Sequence, residues 1–163
     1  MYKNLKMLLT VLVLSVMLCA CQTQTDPETV KFKNDVENFC KSLSDLDVSI
    51  NGIDANSENA PAQLLEYLDE VDMRFKSFSE LDFPADYDYL EKLADEASEY
   101  MTVAVESYHN AYSNHSYNEY TADYAQENYS RAIKLTKIIL SFLKGETPQD
   151  DSIVISYEET ERK

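Results

Sequence analysis

DPETVKFKNDVENFCKSLSDLDVSINGI, residues 26–53, carries a helical rhythm from its first residues to its last. Asp26-Pro27 sets an N-cap residue before a proline at the first helical position, a combination that opens a helix. Apolar side chains then recur at Phe32, Val36, Phe39, Leu43, Leu46, Ile50 and Ile53. The steps alternate between four and three, a heptad seam that turns one face toward partner helices. Asn51-Gly52 interrupts the pattern near its end, where a helix frays or kinks.

Three more segments repeat this rhythm. Residues 54–60 are polar and turn-like, and Pro61 suits the first turn of a second helix with Leu64, Leu68, Val71, Phe75 and Phe78 inward. Asp82-Phe83-Pro84 breaks the chain and restarts it. A third helix is expected from about Ala85 to Tyr112, with Leu90, Leu93, Ala97, Met101, Ala104, Tyr108 and Ala111 inward. Ser113-Asn114-His115-Ser116 is a loop. The fourth helix follows through Thr121, Ala125, Asn128, Ala132, Leu135, Ile139 and Phe142, and Gly145 is its C′ stop, with Pro148 just beyond. Short connections between four amphipathic segments predict an all-α, antiparallel four-helix bundle over residues 26–145. Residues 146–163 form an acidic polar tail, expected to be irregular. Ser152-Ile153-Val154-Ile155-Ser156-Tyr157 has strand character but no sheet to join.

The N-terminal segment reads differently. Lys3 and Lys6 precede an apolar run from Met7 to Ala20, short of the roughly 20 residues a spanning helix needs. This is the basic, apolar and small-residue layout of an export signal. Leu18-Cys19-Ala20-Cys21 at its end resembles the lipobox of bacterial lipoproteins. The resemblance implies cleavage behind Ala20 and a diacylglycerol on Cys21, so that 1–20 is the signal peptide and 21–25 a lipidated tether. It also implies attachment to the cell membrane, facing outside the cytoplasm. Gln22 in place of aspartate implies passage to the outer membrane in a two-membrane bacterium. In a one-membrane bacterium the same protein faces outward from the plasma membrane. An extended link from Gln22 to Thr25 reaches on the order of 15–20 Å, so the first turn of the bundle is nearest the lipid. Lys31 and Lys33, which flank Phe32 in that region, either soften repulsion from anionic headgroups or simply solvate the helix.

Charge narrows the partners. The chain carries 30 acidic and 14 basic side chains, a formal net charge of −16. Residues 1–20 contain two of the lysines and no acid, so the remainder stands at −18. Such a surface repels nucleic acid and anionic headgroups. It attracts cations and basic peptides, and it keeps an exported domain soluble. Of three cysteines, only Cys40 belongs to neither signal nor lipid site, so no intrachain disulfide is expected. Beside an apolar stripe it reads as a small hydrophobe.

Two constellations carry possible chemistry. Tyrosine is abundant: nine lie between residues 87 and 129, concentrated on the third and fourth helices and their connection. Tyrosine offers large contact area, low entropy cost and a hydroxyl. Tyr108, Tyr112, Tyr117, Tyr120 and Tyr124 are the candidate ligand-binding residues. The same rings also serve as bundle-edge packing with wet hydroxyls. Glu106-Ser107-Tyr108-His109 has the Glu-x-x-His spacing that places two ligands on one helical face. A dinuclear site needs a second such pair, and the fourth helix offers Glu127-Asn128-Tyr129-Ser130, with serine at the histidine position. Glu106 and His109 therefore remain candidates for a mononuclear metal site only. Arg131, Lys134, Lys137 and Lys144 form a basic stripe suited to the C-terminal half of a helix and to pairing with neighbouring acids. No nucleophile triad, phosphate loop, paired zinc spacing or haem motif occurs, so neither catalysis nor a cofactor is expected.

Across residues 26–145 the pattern resembles the small all-helical lipoproteins of low-GC Gram-positive bacteria, a resemblance that brings no activity with it. The expectation is a membrane-tethered binding or interaction module. Its partner is an envelope protein, a basic peptide or a small molecule. A metal-binding bundle centred on Glu106 and His109 and a purely structural envelope protein are the alternatives.

Overall fold

The computed structural model describes residues 26–113 and 117–148, and the described chain is all-α. The signal, tether and most of the tail expected from the sequence lie outside the described residues, as does His115. Four helices follow one another: α1 (Pro27–Asn51), α2 (Ala60–Ser79), α3 (Glu91–Ser113) and α4 (Glu119–Leu143), with a short 3₁₀ turn at Asp88–Leu90 before α3. Among the described residues no helix is long and apolar enough to cross a membrane.

The heptad seam of α1 is buried as its spacing dictates: Phe32, Val36, Phe39, Leu43, Leu46 and Ile50 all face the core. The helix stops at Asn51, and Ile53 packs half-buried beyond it. Asp26 holds the N-cap position without a side-chain cap bond; its carbonyl instead accepts from Val30 N–H at 3.0 Å. Leu64, Leu68, Val71, Phe75 and Phe78 form the matching face of α2.

Contacts run in reverse order along each consecutive pair, the order that neighbours of opposite direction produce. Between α1 and α2 with the connection that follows it, Phe32 meets Phe83 at 4.8 Å, while Phe39 stacks on Phe78 at 4.3 Å and meets Phe75 edge-on at 5.3 Å. Between α2 and α3, Asp72 pairs with Thr102 and Asp69 with His109. Between α3 and α4 with the residues that lead into them, Tyr112 meets Tyr117, Tyr100 lies under Arg131, and Tyr89 of the 3₁₀ turn meets Phe142. The molecule thus has two ends. One gathers the start of α1, the α2–α3 connection and the end of α4. The other carries the α3–α4 connection.

Helix α3 begins six residues later than the spacing predicts. After Pro84 the chain makes successive tight turns, with Tyr87 N–H to Pro84 O at 2.7 Å and Leu90 N–H to Tyr87 O at 2.9 Å. The Tyr87 ring stacks on Phe32 at 5.7 Å, which draws this segment across the end of the core instead of into a helix. Along α3, Ala97, Ala104 and Ala111 are fully buried every seventh residue, and Ala125 and Ala132 do the same on α4. Small side chains at heptad spacing let two helix axes approach closely.

The buried face of α4 is wider than its predicted seam. Leu135 and Phe142 are only half-buried, whereas Thr136, Ile138, Ile139, Leu140 and Leu143 are all buried. Three consecutive buried residues cannot lie on one stripe, so the C-terminal half of α4 is covered on more than one side. Its end matches expectation. Gly145 adopts φ 72°, its N–H reaches Phe142 O at 2.9 Å, and Glu146 N–H reaches Ser141 O at 2.9 Å. These two bonds are a Schellman motif, which satisfies carbonyls the helix end leaves open.

Candidate functional site

The α3–α4 connection is where the structure gathers the candidate tyrosines, and it does not treat them alike. Helix α3 ends near its last tyrosines, and Asn118 starts α4 by accepting the Thr121 N–H on its side chain at 3.1 Å. Asn118 N–H also bonds back to Ala111 O at 3.1 Å, closing the connection. This cap was not read from the sequence, although an asparagine three residues ahead of the capped amide is its signal.

Tyr108 is buried, 4 % exposed, and belongs to the core. Burial raises its phenol, with Tyr129, Tyr112, Tyr117 and Asp123 acting in the same direction. Tyr112 is half-buried and its ring meets Tyr117 at 5.3 Å, tilted by 52°. Tyr117 is exposed. Tyr124 is more than half exposed, and Tyr120, at 89 %, is almost entirely in solvent. The five candidates therefore split. Tyr108 and Tyr112 turn inward, with the exposed Tyr117 ring against Tyr112, and Tyr120 and Tyr124 lie four residues apart on an outward face of α4. Exposed Glu119, Asp123 and Glu127 share that half of the helix. Asn128 beneath it is buried and donates its Nδ2 hydrogen to Tyr124 O at 2.8 Å.

Glu106 and His109 are placed otherwise. His109 Nε2 lies 2.7 Å from Asp69 Oδ1, bridging α3 to α2. One turn along the same seam, Thr102 donates to Asp72 Oδ1 at 2.7 Å and Lys76 Nζ donates to Asp72 Oδ2 at 2.7 Å. Glu106 is exposed. Among the described residues no three His, Cys, Asp or Glu side chains come together in a way that could hold a metal ion. The side chains along this seam link two helices. The partners lie 30 and 40 residues apart, so no local spacing announces them.

Arg131 of the basic stripe pairs with Glu127 on its own helix, and its guanidinium sits over the Tyr100 ring, 5.5 Å from the centroid. Near the start of α1, Lys31 pairs with Asp35 at 2.8 Å and Lys33 lies over the Tyr87 ring at 5.7 Å. Cys40 is half-buried against the core, and burial pushes its thiol up to about 11, with Lys144 pulling the other way. A thiol held protonated at neutral pH is a poor nucleophile.

Comparison with protein-family models, with curated proteins and with solved structures returns no match.

Proposed function

We propose that this chain is a lipid-tethered, extracytoplasmic binding module whose working surface is the outward tyrosine face of α4. The observation that carries the reading is the exposure of Tyr120 and Tyr124 side by side at the α3–α4 end. A ring that packs a bundle edge lies against the core, as Tyr108 and Tyr129 do. Tyr120 has no such use. Large aromatic side chains left in solvent together, with a polar surround, are the composition of a binding patch.

The tether supports the same reading from the other end. A lipid on Cys21 anchors the start of α1, and α1 is 25 residues long, about 37 Å at 1.5 Å per residue. The tyrosine face therefore projects away from the bilayer, toward partners outside the cell. An acidic chain held by lipid gains little from direct contact with anionic headgroups, which favours an outward-facing role.

The tether is tested by fractionating cells that express the chain and its Cys21→Ser variant, with a labelled fatty acid supplied. The expected result is labelled protein in the membrane fraction for the parent and unlabelled protein released from it for the variant. Retention of Cys21→Ser in the membrane fraction, or the absence of label from the parent, would contradict lipid attachment.

A further inference from the structure

Lysine and arginine are unevenly spread along this chain. Residues 42–73 contain eight acids and no lysine or arginine, and residues 93–130 contain seven acids and again no lysine or arginine. The first stretch spans the end of α1 and most of α2; the second spans most of α3 and the first half of α4. The reversed contact order of neighbouring helices brings these segments largely to one half of the bundle, the half that ends in the α3–α4 connection. The described lysines and arginines fall from the middle of the bundle toward the start of α1. On α4 itself the sign changes at Arg131: Glu119, Asp123 and Glu127 precede it, and Lys134, Lys137 and Lys144 follow.

Charge of one sign is not a site. Here it surrounds an uncovered aromatic face, and the molecule shows on the same helix what such a pairing accepts. Arg131 is held between the Glu127 carboxylate and the Tyr100 ring. A ring face and a carboxylate together suit a guanidinium or ammonium group, through cation–π attraction and a charge-assisted hydrogen bond. Tyr120 and Tyr124, flanked by Glu119 and Asp123, present the same two components in a part of the chain with no cation of its own.

We infer that this face docks a lysine- or arginine-rich segment of a partner protein lying outside the membrane. The inference rests on the binding-module reading and names its partner class. The occupant is a polypeptide because two rings four residues apart on a helix span about 6 Å of axis. That spacing matches successive basic side chains of an extended strand, whose alternate residues share a face. Anionic lipid is repelled by the surrounding carboxylates and lies at the far end of α1.

The test uses the full chain in detergent, titrated with oligolysine, oligoglutamate and a neutral N-acetylglucosamine oligomer. The chain has no tryptophan, so its emission comes from its twelve tyrosines, and comparison with the tyrosine variants isolates the share of Tyr120 and Tyr124. Oligolysine is expected to bind and oligoglutamate not to. Tyr120→Ala with Tyr124→Ala should weaken oligolysine binding roughly tenfold, two cation–π contacts' worth. Circular dichroism should stay unchanged, because both side chains are exposed. Tyr120→Phe with Tyr124→Phe, which keeps the rings, should retain most of the binding. Glu119→Gln with Asp123→Asn should weaken it several-fold, while Glu91→Gln with Asp95→Asn at the other end should leave it nearly unchanged.

Equal losses from the two acid pairs, or binding indifferent to Tyr120→Ala with Tyr124→Ala, would overturn the inference in favour of diffuse counter-charge attraction. Tyrosine-dependent binding of the neutral oligosaccharide alone would overturn the cationic partner and leave the binding module standing. No tyrosine-dependent binding of any probe would overturn both.

Discussion

Tyr120 and Tyr129 lie nine residues apart on one helix and in opposite surroundings, the first in solvent and the second in the core beside Tyr108. Burial raises the phenol of Tyr129 above its ordinary value of 10.0, with Asp47 adding to it, and burial raises Tyr108 likewise. A raised folded-state pKa means that the folded chain keeps a proton which the unfolded chain releases. This contribution is fully present below pH 10.0 and is lost as pH rises above it. Denaturant midpoints should therefore fall as pH climbs past about 10. In a near-ultraviolet titration, part of the tyrosine ionisation should appear only with unfolding. Smooth ionisation of every tyrosine in a chain that stays folded would contradict the burial of these two. The sequence marked the tyrosines as a group but could not sort them. Tyr108 fell correctly on the inward heptad position of α3, whereas Tyr129 was no part of the predicted seam of α4.

At the scale of the elements, the heptad seams of α1 and α2 were legible because one stripe of large apolar residues suffices for each. The start of α3 was not, because the stacking of Tyr87 on Phe32 overrides the helical spacing after Pro84. The links from α2 to α3 through Asp69 and Asp72 were also hidden, since they depend on which helices become neighbours. The C-terminal stop of α4 was legible from a single glycine. At Gly145 a Cβ meets nothing within 4 Å, so space is no obstacle, but φ 72° is strained for any L side chain. Gly145→Ala should cost about 1 kcal/mol of stability through that backbone penalty alone, measured by chemical denaturation. An unchanged midpoint would mean that the Schellman motif does not form. The core element responds on a larger scale. Phe75 is fully buried and packs edge-on against Phe39, and Phe75→Ala should cost about 3–5 kcal/mol. A loss below 1 kcal/mol would contradict its place in the core.

The whole molecule is polarised along its length. Aromatic rings from α1, α2 and the α2–α3 connection close the end that holds the start of α1, and Lys31 and Lys33 are engaged there by Asp35 and Tyr87. Among the described residues the opposite half has no lysine or arginine to answer its acids, and it leaves Tyr120 and Tyr124 more than half in solvent. This division follows from the order of charges along the chain and the reversed order of helix contacts taken together. Neither alone reveals it, so net charge predicted an acidic protein without showing that the acidity has a direction. In the proposed function the lipid holds one end and a partner meets the other. Native mass spectrometry of the full chain purified from host membranes, beside Tyr120→Ala with Tyr124→Ala, tests this most directly. The predicted result is a chain beginning at a lipid-modified Cys21 that carries an added partner mass in the parent and lacks it in the variant. A bare chain in both, or the same added mass in both, would contradict it.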